Sequence, residues 1–374
     1  MTIHRRDFMK TSGCAAAALA ISRGAHGATA ATSKGPSSSQ STETGFIAIE
    51  EHLIVPSQQE HVVDSHPLKV KRELLVHYGE QRLADMDKAG IRIAVLSAFS
   101  EGLQAMDATY DLSNLDPKQV RARQTEAAVR WNDELHGIVQ AHHERFRGFA
   151  TLPMTAPDAA AAELRRCVED LGFVGALLNG FDSSVNGTPN YYLAPEYDVL
   201  WAECVRLDRP LYIHPRLAAP DPFYSLPNCG ALRESPWGFH ESTARLVLAL
   251  IVNGVFQRFP KLKIVLGHMG EIIPFWAWRI DHRLRHGARP ELAMVQSTLA
   301  QNVFVTVSGF NNTPALQHLI AVMGADRVLY ATDYPMEDAT AAATWFDDAT
   351  GELGLSPEAA AGIRAGNAGW LLGI

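Results

Sequence analysis

From residue 45 onwards, short apolar runs alternate with longer amphipathic stretches. Eight of the runs have strand length: Phe46–Glu50, Ile93–Phe99, Gly148–Leu152, Val174–Asn179, Pro210–His214, Lys263–His268, Val303–Ser308 and Arg327–Thr332. Their near-continuous apolarity suits parallel strands covered on both faces, whereas a sheet with one wet face shows in-out alternation. The segments between them carry helical periodicity and end at glycines: Glu80–Ala89 before Gly90, Asp158–Leu171 before Gly172 and Ser242–Asn253 before Gly254. This alternation predicts an α/β fold, a (β/α)8 TIM barrel in one domain over residues 45–374, longer than the ~250 residues typical of such barrels but within their range with insertions. An open doubly wound sheet would call for a Gly-rich phosphate loop after an early strand, and the sequence has none there.

The first run ends in Glu50-Glu51-His52. Side chains on a strand alternate faces, so Glu50 and His52 point one way and Glu51 the other, out of the barrel. Parallel barrel strands deliver their C-terminal ends to one rim, where active sites are built. Four long loops, 55–78, 101–116, 181–196 and 216–240, follow strands on that side. The strand ends bring Glu50, His52, Asn179, His214, His268, Ser308 and Asp333 to the rim. Two imidazoles and two carboxylates from such a set make a mixed nitrogen/oxygen site suited to one divalent ion, Zn²⁺ or Mn²⁺, with a position left for water or substrate. In His268-Met269-Gly270-Glu271 the carboxylate reaches back three residues to the ring, an arrangement that suits an acid/base or orienting group better than an isolated ligand. Phe223, Tyr224, Trp237 and Phe239 lie in the loop after the fifth strand and are expected to sandwich a ring or to pack as a lid. Arg216, just beyond Pro215, is expected to meet a carboxylate or form a surface ion pair.

Composition changes little in this picture, but charge and the N-terminus add to it. The 374 residues are 47% hydrophobic and 20% charged, ordinary for a globular chain. Net charge is −8, and because the first 30 residues carry a local +3 the remainder stands at −11, which argues against nucleic acid as a partner. Residues 1–30 have a basic start, an apolar run from Cys14 to Ile21 and small residues around Ala28-Thr29-Ala30, the pattern of a signal peptide. His4-Arg5-Arg6-Asp7-Phe8-Met9-Lys10 is similar to a twin-arginine export motif, and the Ser/Thr-rich stretch 31–44 reads as a flexible linker. The apolar run is too short to span a bilayer, so the expected product is periplasmic or secreted with no membrane anchor after cleavage. Beyond Cys14 the cysteines are Cys167, Cys204 and Cys229, an odd number without CxxC spacing, and no disulfide framework is expected.

Six segments together resemble a known family. Ile49-Glu50-Glu51-His52, Gly172 to Gly180, Tyr212-Ile213-His214-Pro215-Arg216, Leu266 to Glu271, Trp278-Arg279-Ile280-Asp281 and Ala331-Thr332-Asp333-Tyr334-Pro335 look like the amidohydrolase superfamily, in its branch of metal-dependent, non-oxidative decarboxylases. That branch includes γ-resorcylate (2,6-dihydroxybenzoate) and aminocarboxymuconate-semialdehyde decarboxylases, and the Glu-x-His opening is nearer the former. The resemblance implies a metal-dependent-hydrolase type of barrel in which Glu50, His52, His214 and Asp333 bind the metal. It implies a catalytic dyad of His268 and Glu271, Asp333 as proton donor, and Arg279 near the substrate. Asn179, Ser308, Trp237 and Phe239 are the other substrate-binding candidates. The implied reaction is loss of CO₂ from a hydroxylated aromatic or related unsaturated acid, in a homodimer or homotetramer. For Asp333 to donate, it must be protonated beside a cation, by a raised pKa or by a proton delivered on substrate binding. A competing reading is a hydrolase of lactones, esters or amides using metal-bound water. A third is a binder of metal or aromatic ligands without turnover.

Overall fold

Eight short strands carry the core: β1 (Phe46–Leu53), β2 (Ile91–Ala98), β3 (Phe146–Gly148), β4 (Ala176–Asn179), β5 (Leu211–His214), β6 (Ile264–Leu266), β7 (Val303–Thr306) and β8 (Val328–Leu329). They come from a computed structural model that describes residues 45–59, 71–99, 102–105, 115–185 and 187–374. The expected signal peptide and linker, and parts of the first three rim loops, lie outside the described residues.

Neighbouring strands pair in parallel in two sheets, β1-β2-β3 and β4-β5-β6-β7-β8. Parallel bridges at Ala150↔Ala176 and Glu51↔Tyr334 join the sheets edge to edge. At the second seam the Asp333 N–H donates to Glu50 O at 3.1 Å and the His52 N–H to Tyr334 O at 2.8 Å. The result is a closed barrel with helices between its strands, which removes every sheet edge.

The expected third strand, Gly148–Leu152, is displaced: the ladder with β2 covers Phe146–Gly148 and only Ala150 touches β4 beyond it. Phe149, Ala150 and Leu152 are buried all the same, and the Phe149 N–H still donates to Leu96 O and the Ala150 N–H to Gly175 O, each at 2.9 Å, so the run stays between its two neighbours beyond the regular ladder. Helix Glu80–Ala89 ends where Gly90 adopts φ +69°, a left-handed conformation that costs glycine little.

The core divides into an interior and a mantle. Ile47, Ile49, Ile93, Val95, Phe149, Val174, Leu177, Tyr212, Val265, Phe304, Leu329 and Ala331 form one cluster, drawing on every strand or its immediate flank: the barrel interior. Phe46, Ala48, Ala94, Leu96, Leu211, Ile213, Val303 and Val305 belong to the other, packed against the surrounding helices. Strict alternation would therefore put Glu50 and His52 on the mantle side, with Phe46 and Ala48. A register shift between Ala48 and Glu51 inserts one extra residue into β1 relative to β2 and reverses the parity. Glu50 and His52 thereby turn into the mouth while Glu51 faces the mantle. There Glu51 is buried, accepting from the Thr332 N–H at 3.1 Å and hydroxyl at 2.8 Å, and burial pushes its carboxyl up to about 8.

Among the described residues no helix is long and apolar enough to cross a membrane. Cys167, Cys204 and Cys229 are free thiols.

Candidate metal centre and active site

Glu50, His52, His214 and Asp333 bring one ligand atom each to within 4.8 Å of one another at the C-terminal mouth of the barrel. His214 Nε2 stands 3.2 Å from Glu50 Oε1, and His52 Nε2 stands 3.4 Å from Asp333 Oδ1. Glu50 Oε1 and His52 Nε2 are buried without a hydrogen-bond partner among the described residues. Buried polar atoms are almost always paired, so two orphans facing one small space are what a cation site leaves when only its donors are considered. Two carboxylates and two imidazoles fit a divalent ion of borderline hardness such as Zn²⁺ or Mn²⁺.

The surroundings aim each ligand. Glu50 Oε2 accepts from the hydroxyls of Tyr212 and Ser308 and from Thr306 Oγ1 at 3.2 Å, which leaves Oε1 for the mouth. His214 Nδ1 lies 2.8 Å from the Pro215 carbonyl, which can only accept, so Nδ1 carries the proton and Nε2 presents a lone pair. His52 Nδ1 meets the buried Ser97 hydroxyl at 3.1 Å. Gly267 is needed beside Glu50, since a Cβ there would lie 3.1 Å from both carboxylate oxygens and 3.0 Å from Tyr212 Oη. Non-glycine residues with positive φ gather here: His268 (46°), Met269 (57°), Glu271 (53°), Ile272 (61°) and Asp333 (66°). Such strain persists where surrounding contacts over-determine the backbone, and it collects at functional sites.

His268 stands beside this group. Its Nδ1 is 2.8 Å from Glu271 Oε1 and its Nε2 is 3.6 Å from Asp333 Oδ2, so each ring nitrogen faces a carboxylate. Burial opposes a charged ring, but Glu50 and Glu271, with Asp333, outweigh it and hold His268 well above the usual histidine range. Burial likewise pushes the Glu50 carboxyl up, and His268, His214 and His52 overcome it, leaving it well below the carboxylate range. Glu271 is held down to about 2, burial again being outweighed by His268 and His240. Burial, with His214 beside it, lowers His52 and favours the neutral ring that ligation requires. Asp333 is lowered, not raised: burial is outweighed by its contacts to His268 and His52. This lowering is the opposite of the raised pKa that one of the two routes to a protonated Asp333 calls for.

The remaining expected site residues are dispersed. Asn179 pairs in register with His214; its Nδ2 reaches Gln104 Oε1 at 3.5 Å and its buried Oδ1 has no partner among the described residues. Ser308, expected to face substrate, is fully buried and engaged by Glu50, Thr306 Oγ1 at 2.7 Å and the His268 N–H at 3.2 Å, so its place is behind the carboxylate. Trp237 is 42% exposed just before helix Gly238–Val252, and Phe239 in its first turn is half-buried. Arg279 departs from expectation. On helix Ile273–Arg285 the buried positions are Ile273, Pro274, Ala277 and Asp281, and the helical period turns Arg279 and Trp278 to the exposed side of their own chain. Arg216 is neither a surface ion pair nor free for a ligand, being buried, stacked 4.2 Å over Phe181 and donating to the Gln104 and Phe181 carbonyls.

Three contributors escaped the sequence reading. Tyr212 and Thr306 lie two residues before His214 and Ser308 on their strands, so the alternation that selected the latter pointed to them as well. His240, whose Nδ1 is 2.6 Å from Glu271 Oε2, gave no comparable signal, because it stands at a loop–helix junction 31 residues away in sequence.

The family model for amidohydrolases matches residues 61–374. The chain is 40% identical over 317 residues to the γ-resorcylate decarboxylase of Rhodococcus jostii (strain RHA1), covering 82% of this chain and 93% of that one. The crystal structure of 2,6-dihydroxybenzoate decarboxylase from Rhizobium superposes with a TM-score of 0.78 at 36% identity, over 88% of this chain and 98% of the other. The dihydroxybenzoic acid decarboxylase of Polaromonas sp. JS666, solved with bound manganese and the inhibitor 2-nitroresorcinol, gives 0.77 at 35% identity, over 88% and 97%. With a family model that spans nearly the whole barrel and relatives matched almost end to end, the chain belongs to the amidohydrolase family.

Proposed function

We propose that this chain is a divalent-metal-dependent, non-oxidative decarboxylase of hydroxylated aromatic acids, with 2,6-dihydroxybenzoate the first substrate to test. The observation that carries the reading is the pairing of a four-donor cation site with an imidazole flanked by carboxylates, His268 Nε2 lying 3.6 Å from the ligand Asp333. Relatives named as γ-resorcylate decarboxylases support the choice of reaction over the hydrolase alternative.

Glu50, His52, His214 and Asp333 would hold the ion, manganese or zinc. When bound, it would supply positive charge that helps orient an anionic substrate and stabilises negative charge as it develops. Decarboxylation requires a proton at the ring carbon that bears the carboxylate; the C–C bond then breaks, its electron pair restores the aromatic ring, and CO₂ leaves. Asp333 is the donor in this proposal, its side chain 15% exposed where those of Glu50 and His52 are at most 1%. His268 delivers the proton to Asp333 Oδ2 from Nε2, and Glu271 keeps the proton on Nδ1. Asn179 Oδ1 is available to a substrate hydroxyl, and Phe239 and Trp237 supply apolar surface from the rim.

The test uses metal-loaded protein and a panel of hydroxybenzoates in D₂O. CO₂ release with deuterium at the vacated carbon is expected; turnover of lactones with ¹⁸O from water entering the product, and no CO₂, would replace this reading with the hydrolase.

Two further expectations remain proposals. A homo-oligomer is supported by Phe275 (70% exposed), Trp276 and Trp278 on one helix, and light scattering reads it directly. Export to the periplasm rests on the Arg5-Arg6 motif; an Arg5→Lys/Arg6→Lys chain should accumulate in the cytoplasm if it is correct.

A further inference from the structure

The most connected carboxylate of the site, Glu271, is not accounted for by His268 alone. It is fully buried, and its two oxygens serve different rings: Oε1 lies 2.8 Å from His268 Nδ1 and Oε2 lies 2.6 Å from His240 Nδ1. The rings of His240 and His268 meet edge to face, with centroids 5.6 Å apart at 78°. His240 groups with His268 and Glu271, apart from the set Glu50, His52, His214 and Asp333. The His240 ring also meets Phe310 edge to face, centroids 6.4 Å apart at 79°. It is fixed to the barrel by the first turn of helix Gly238–Val252, the helix that follows the aromatic rim loop.

We propose that His240 is a positioning residue of the reaction: by donating from Nδ1 to Glu271 Oε2 it fixes the carboxylate in the one rotation in which Oε1 holds the Nδ1 proton of His268. A carboxylate gripped at one oxygen only can swing about its terminal torsion, which is broad and roughly two-fold. Gripped at both, Glu271 has a single orientation, and the His268 ring it holds keeps Nε2 turned toward Asp333. Removing His240 leaves Oε2 buried and without a donor, so Glu271 has reason either to turn away from His268 or to take up a proton. Both outcomes weaken the link from Glu271 to His268 while leaving the metal ligands where they are.

The inference rests on the decarboxylase reading, and the test separates the two. His240→Leu fills the ring's volume without a donor; His240→Asn places an amide N–H close to where Nδ1 stood. With metal-loaded protein and 2,6-dihydroxybenzoate, His240→Leu is expected to lower kcat by ~10–100-fold with KM little changed and metal content intact, and His240→Asn to recover most of the loss. Proton NMR supplies a readout that needs no turnover: the wild-type chain should show two strongly downfield imidazole N–H signals bonded to carboxylate, and His240→Leu one, displaced from its wild-type position. A wild-type kcat in His240→Leu overturns the proposal, as does His240→Asn as slow as His240→Leu, a change confined to KM, or an unmoved His268 signal. Should the wild-type chain release no CO₂ from any hydroxybenzoate while the NMR behaves as expected, the reaction assignment fails and the positioning role stands.

Discussion

Ser308 donates its hydroxyl to Glu50 Oε2, and this contact helps turn the other oxygen of the carboxylate to the mouth of the barrel. Tyr212 and Thr306 act on the same oxygen, so three hydroxyls from β5 and the end of β7 spend themselves on orienting one ligand. Replacing Ser308 with Ala should weaken metal binding by roughly 10-fold, at the low end for an outer partner of a ligand because two hydroxyls remain. Competition with a metal-sensitive dye measures it; unchanged affinity would mean that Tyr212 and Thr306 suffice.

His214→Ala removes a ligand and should strip the site. Elemental analysis after dialysis is expected to fall from about one equivalent of metal per chain to below roughly a tenth, with circular dichroism unchanged. Full metal content in this variant would sink the site as drawn.

Gly267 makes a sharper test of the geometry around Glu50. Its backbone, φ −73° and ψ −176°, is one that alanine adopts freely, so any effect of Gly267→Ala comes from the new methyl group. That methyl would press on Glu50 and Tyr212, and the carboxylate must give by a few tenths of an ångström. Metal affinity should drop by about 10-fold while the melting temperature shifts little. A stable protein with native affinity would show that Glu50 has more room than the structure gives it.

Away from the mouth, Glu203 on helix Asp198–Leu207 is tied to helix Pro157–Glu169 through Arg165 and also accepts from Arg206 on its own helix. Hydrogen bonds from Arg206 lower its carboxyl and, against the cost of burial, Arg165 adds to this, bringing it to about 2 from 4.5. A depressed folded-state pKa contributes stability that is present above the unfolded value and is lost as pH falls from about 4.5 through about 2. Glu203→Gln should therefore cost about 1 kcal/mol at pH 7, since both arginines are partly exposed, and the gap to wild type should narrow as pH falls to 3. Urea titrations at the two pH values read this; an equal gap at both would remove Glu203 from the account.

Much of this site was legible in one dimension. Eight apolar runs with helices between them imply a parallel barrel, because only strands buried on both faces lack alternation, and a parallel barrel gathers all its strand ends at one rim. Glu50, His52, His214, His268 and Asp333 could therefore be grouped before any distance was known. Glu271 was within reach for the same local reason, being three residues from His268.

What sequence could not settle was direction. Alternation puts Glu50 and His52 on one face but does not say which, and from Ile47 and Ile49 it implies the mantle; the extra residue in β1 before Glu51 turns the pair inward. A bulge arises from how two strands share hydrogen bonds, so it has no signature in one strand's pattern. For Arg279 the chain supplied a motif, and the packing of Ala277 and Asp281 turned it outward. His240 is the plainest case: it meets Glu271 across 31 residues of sequence because the start of helix Gly238–Val252 and the turn after β6 reach the same rim, a fact that exists only once the barrel has closed.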